Sequence, residues 1–196
     1  MSSMCRILLG IALFLGAPRL VLAQFPMPTQ RTLEDTEPAQ IHELVSKYCR
    51  LDYEGARLDP KAWPKIEPLV WWKSSPDYKK INVVARYAVD MPVASSNHSK
   101  YTVTVHYRLL GTYDLTTGYV TEPPGSNQDV DFLVNEDNTG STRIADAENT
   151  LPHPSRATML KWLNEQLSTA QDDATKRRYR DAITQLQAQS ASPFAK

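Results

Sequence analysis

Residues 101–109, YTVTVHYRL, constrain the fold more than any other stretch. Tyr101, Val103, Val105, Tyr107 and Leu109 alternate with Thr102, Thr104, His106 and Arg108. That period of two predicts a strand with one buried face and one polar face, as in a sheet covered on one side. Residues 82–89 and 130–134 also alternate, and residues 112–115 continue the first strand beyond a break or bulge at Gly111. Glu136-Asp137-Asn138-Thr139-Gly140 reads as a hairpin turn, with residues 142–145 as its return strand.

Helices flank these strands. Thr36-Glu37-Pro38 reads as a helix start, a hydroxyl cap followed by proline in the first turn. Ile41, Leu44, Val45 and Tyr48 continue as a helical stripe, and Asp52 falls on that same stripe. The prolines at 60, 64 and 68 leave room for no more than a short helix before Trp71 and Trp72. Residues 74–77 read as a turn. Ser155 and Asp172 are placed to cap two further helices, one running to about Ser168 and the other carrying Tyr179, Ile183 and Leu186. Lys176-Arg177-Arg178 reads as a solvated face of the last helix.

The N-terminus gives an address. Arg6 precedes an apolar run, a break follows at Gly16-Ala17-Pro18, and small residues end at Ala23. This pattern predicts a signal peptide over residues 1–23, cleaved near Ala23, and a secreted or periplasmic chain with no stable membrane anchor afterwards. The apolar run is far shorter than the ~20 residues that span a bilayer. Residues 24–35 read as a flexible leader, 36–150 as the main domain, 151–189 as a helical extension and 190–196 as a disordered tail. Cleavage would remove Cys5 and leave Cys49 alone, so packing rather than an internal disulfide must supply stability. Acidic and basic residues balance at 22 each, which gives no electrostatic footprint for nucleic acid. Asn97-His98-Ser99 matches a glycosylation triplet.

Taken in order, Asp35 to about Ala147 resembles the nuclear transport factor 2-like superfamily, which includes polyketide cyclase-like and ketosteroid isomerase-like proteins. Residues 44–56, LVSKYCRLDYEGA, are similar to the first helix of that family. The hairpin from Asp131 through Gly140 to Asp146 is similar to its closing strands. A tryptophan common after the final turn is replaced by Ser141-Thr142-Arg143, and the chain beyond Pro152 is longer than that fold requires. The resemblance implies an α+β fold, a cone-shaped antiparallel sheet curved around N-terminal helices, with the C-terminal helices added over the cone's mouth or across a dimer.

The resemblance also implies a cavity. Its lining would include Tyr48, Asp52, Val83, Tyr87, Tyr101, Val103, Val105 and Tyr107, with Trp71 and Trp72 at the edge. Tyr48, Asp52, Trp71, Tyr87, Tyr101 and Tyr107 are therefore the candidate ligand-binding residues. Asp52 is the one carboxylate on an inward stripe. It is either a general base with a pKa raised by burial, or a helix-end carboxylate that caps the following turn. The corresponding position is usually structural in proteins of this fold, which favours the second role. His106 belongs to the polar face, in this fold the convex side and often a dimer surface. His42 reads as exposed, and His98 and His153 fall in loops. The four histidines lack metal-ligand spacing, and no cofactor motif occurs. The expectation is a non-catalytic domain binding a small apolar molecule or a protein partner, through the cavity or the convex sheet. The alternatives are a lyase, isomerase or hydrolase using Asp52, and a structural module that forms a homodimer.

Overall fold

A computed structural model of the chain describes residues 37–73, 78–95, 100–147 and 151–189. The expected signal peptide and leader, the 74–77 turn, the Asn97 triplet and the tail at 190–196 lie outside the described residues. Helix α1 spans Glu37–Tyr53. Two short 3-10 helices follow, Pro60–Lys65 and Glu67–Leu69. Asp59 caps the first, its side chain accepting from the Lys61 amide. The strands are β1 (Lys80–Val89), β2 (Val93–Ala94), β3 (Tyr101–Asp114), β4 (Gly118–Thr121), β5 (Asn127–Glu136) and β6 (Thr142–Ala147). Helices α2 (Arg156–Thr169) and α3 (Asp173–Ala188) complete the described chain.

The fold is α+β. Six antiparallel strands form a curved, unclosed sheet in the order β1-β3-β5-β6, with β2 and β4 also paired to β3. The stripe on α1 buries Ile41, Val45, Tyr48 and Cys49 against Val103, Val105, Tyr107, Phe132 and Ile144 of the sheet. This is the core expected from the alternation of β3 and the helical period of α1.

A second core sits under α2 and α3. Met159, Leu163, Ala182 and Leu186 pack with Ile81, Val83, Tyr113 and Tyr119. Plain alternation along residues 82–89 predicts Val83 on the same face as Tyr87, toward α1. The register explains the difference. Val83 pairs with Gly111 but Val84 pairs with Leu109, and Arg86 pairs with Arg108, so Leu110 and Ala85 have no opposite residue. Each bulge adds one residue and reverses the face on which later side chains fall. Tyr87 and Val89 therefore join the first core, and Val83 joins the second.

The chain does not break at Gly111, and the irregularity there is the bulge at the adjacent Leu110. β3 runs through it, because only glycine fits there: a Cβ would meet the ring of Tyr119 and the Val120 carbonyl oxygen. The C-terminal helices pack on the sheet itself. Ser155 and Asp172 cap α2 and α3 as expected, accepting from the Thr158 and Thr175 amides, and the two helices share the second core with β1, β3 and β4. Residues 152–155 run along the free edge of β1. The Asn82 amide donates to the Pro152 carbonyl at 2.9 Å, and the Val84 amide donates to the Pro154 carbonyl at 3.0 Å.

Candidate functional site

The edge segment carries His153 into the interior, where it meets Asp52. Both are almost fully buried, at 3% and 1% exposure. Asp52 Oδ2 accepts from the His153 amide at 3.0 Å. The His153 ring nitrogen Nδ1 stands 3.5 Å from the same oxygen, and Arg57 Nη1 stands 4.0 Å from it. Arg57 also donates to the Leu151 carbonyl at 2.9 Å. Asp52 thus fastens residues 151–153 to the end of α1, together with Arg57. The capping role expected for this carboxylate is close, but the partner is a loop a hundred residues away rather than the next turn.

The other side of the ring is equally engaged. Gln128 Oε1 accepts from Asn82 Nδ2 at 2.8 Å and lies 3.2 Å from His153 Nε2, so Nε2 is the donor. Asn82 Oδ1 accepts from the Thr112 hydroxyl at 3.1 Å. The ring of His153 stacks on Tyr107, with centroids 4.0 Å apart and planes 11° apart. The Tyr107 hydroxyl lies 3.5 Å from Cys49 Sγ. Burial pushes the Cys49 thiol up to about 12, with a smaller opposing effect from its hydrogen bond to Tyr107. Burial also raises Tyr48 and Tyr107 well above the usual phenol range. These groups are neutral at physiological pH.

Four of the six candidate binding residues therefore gather around one centre. Tyr87 packs at 6.2 Å from Tyr107, Tyr107 stacks on His153, the His153 amide donates to Asp52, and Tyr48 is buried one helical turn before Asp52 on α1. Tyr101 is elsewhere: its hydroxyl donates to Glu37 at the start of α1. Trp71 is 44% exposed, and its amide donates to the Ile144 carbonyl beside β6. Trp72 packs edge-on to Tyr48 at 6.3 Å. No local pattern in the sequence marks His153, Arg57, Asn82 and Gln128 as a cluster. The flanking prolines at 152 and 154 were a signal, since they favour an extended segment suited to a sheet edge.

The opposite face of β1, β3 and β5 is covered by α2 and α3 at one end only, and among the described residues its remainder, from Arg86 and Ala88 to Asp129 and Asp131, is exposed or half-buried. His106 lies there, as its alternation requires. Its Nδ1 is 2.7 Å from Asp129 and its Nε2 is 2.9 Å from Asp90. Those two hydrogen bonds raise its pKa, that to Asp129 most. Thr104 donates to Asp131 at 2.7 Å. Beside this row lies a hollow of about 580 Å³ lined by Arg86, Ala88, His106, Arg108 and Asp129. A second, of about 440 Å³, continues from the same two arginines toward the loop after β4. Among the described residues no group of histidines, cysteines and carboxylates is placed to hold a metal ion. No family model, curated protein or solved structure matches this chain.

Proposed function

We propose that this chain is a secreted or periplasmic, non-catalytic domain that recognises a ligand or partner on the open face of β1, β3 and β5. The observation that carries the reading is the engagement of Asp52. A general base needs reach to a substrate proton, whereas Asp52 is buried beneath His153 and holds a backbone amide. His153 stacks on Tyr107, one of the residues at which the family resemblance put a ligand. The open face offers hollows within the size range of small-ligand sites. The order of elements, one long helix and short helices before an antiparallel sheet, supports the nuclear transport factor 2-like reading and its cone shape. The pattern of residues 1–23 supports export.

Native mass spectrometry of the chain purified from an exporting host tests the proposal. A retained molecule or partner is expected, and Ala88→Glu, which crowds the open face, should release it. Asp52→Asn should retain it in whatever fraction remains folded. Retention by Ala88→Glu with loss in folded Asp52→Asn would move the site to the interior. An activity with a pH dependence abolished in Asp52→Asn would establish the enzyme alternative instead.

A further inference from the structure

We propose that the groove beginning at Arg86 and Arg108 binds a small amphipathic monocarboxylate, its carboxylate on the two guanidinium groups and its apolar body over Leu109, Leu110 and Pro123. This rests on the reading that recognition occurs on the open face. The register sets Arg86 directly opposite Arg108. Like charges in that relation destabilise a strand pair. Among the described residues no carboxylate forms an ion pair with either. Asp90 and Asp129 are engaged with His106, and Asp131 is engaged with Thr104. Among the described residues Arg108 donates only to neutral acceptors, the Gly125 carbonyl at 3.1 Å and Asn127 Oδ1 at 3.3 Å. Arg86 has no ion pair among the described residues. Two adjacent planar forks without a carboxylate suit a carboxylate ligand, which guanidinium groups grip with paired hydrogen bonds.

The backbone provides the rest of the groove. The bulges at Ala85 and Leu110 interrupt regular pairing beside the arginines, and bulges commonly re-aim side chains at sites. On the other edge of β3, pairing passes from β5 at residues 101–108 to β4 at residues 111–114. The loop after β4 spans that gap. Glu122 donates its amide to the Leu110 carbonyl, and the Leu109 amide donates to Ser126. The resulting groove of about 440 Å³ has an apolar stretch and a charged end. Among the described residues Glu122 is the one acidic side chain lining it. Among the groove's own lining residues two arginines stand against one carboxylate, a net of one positive charge, which suits a monoanion.

Dodecanoate, titrated calorimetrically into the full chain below its micellar concentration, is the probe. Dodecanol supplies the chain without the charge, and acetate supplies the charge without the chain. Saturable binding of one dodecanoate is expected, with dodecanol and acetate at least about tenfold weaker. Arg86→Gln/Arg108→Gln should weaken dodecanoate by about tenfold or more, as loss of charged hydrogen bonds implies. Arg86→Lys/Arg108→Lys should fall between, and Glu122→Gln should tighten binding. Arg86 is exposed and Arg108 half-buried, and a single cooperative unfolding transition verifies folding of the variants, its midpoint free to rise because the like-charge opposition is also removed. Failure of dodecanoate to bind, equal binding of dodecanol, or full binding by the double glutamine variant would overturn the proposal. If dodecanoate fails while Ala88→Glu still releases a native partner, only the ligand class is wrong. If both fail, the open-face reading falls with it.

Discussion

Asp52→Ala should be among the most destabilising single changes available in this chain. The carboxylate accepts a buried backbone hydrogen bond at 3.0 Å and faces Arg57 and His153. Removing one member of a buried charge pair costs about 3–5 kcal/mol, because the other charge stays buried without it. The lost hydrogen bond to a charged acceptor, about 1.5–3 kcal/mol, falls within that figure rather than adding to it. Arg57 is at the outer limit of an ion pair, and Oδ1 has no hydrogen-bond partner among the described residues. Both facts place the expected loss near the lower end, about 3 kcal/mol. For a domain of this size that lowers the thermal midpoint by roughly 6–12 °C. Asp52→Asn keeps an oxygen for the His153 amide and should lose less than the alanine variant. Urea unfolding followed by tryptophan fluorescence measures both, with the midpoint shifting at constant slope. A loss below about 1 kcal/mol for Asp52→Ala would refute the reasoning that this residue fastens residues 151–153 to α1.

Other expectations are equally specific. Gly111→Ala should cost about 1–3 kcal/mol by forcing Tyr119 and the Val120 carbonyl to move, measured in the same unfolding assay. Ser155→Ala should cost about 1 kcal/mol through the lost cap on α2. In a Cys5→Ser background, Cys49 should resist alkylation until the chain unfolds, because burial raises its thiol to about 12; rapid labelling of native protein would contradict that. His106 should titrate above its ordinary 6.5, first through Asp129 and then Asp90. Its folded pKa is raised, so its stabilising contribution is complete below the unfolded pKa and fades as pH rises through the folded one. Proton NMR of the ring, against His106→Gln, checks both the direction and the window.

The parts of the fold that obey a single period were legible in the sequence. The stripe of α1, the alternation of Tyr101–Tyr107 and the caps at Ser155 and Asp172 all depend on neighbours within a few residues. What escaped depended on distant pairing. Nothing local distinguishes Val83 from Tyr87, and only the bulges at Ala85 and Leu110 send them to different cores. Asp52 stood out because a carboxylate interrupts an apolar stripe. Its partner His153 did not, since a loop histidine becomes buried only when residues 152–155 align on β1. Arg86 and Arg108 each looked like an ordinary outward-facing charge. Their opposition is a property of register alone.

Amide chemical-shift mapping of the isotopically labelled chain during the dodecanoate titration tests the central claim most directly. If the interior cluster is structural and recognition lies outside it, the shifts centre on Arg86, Arg108, Leu110 and Gly125, while Tyr48, Asp52 and His153 stay in place. Shifts centred on Asp52, Tyr107 and His153, with the arginine strands unchanged, would contradict the account and return the binding site to the interior.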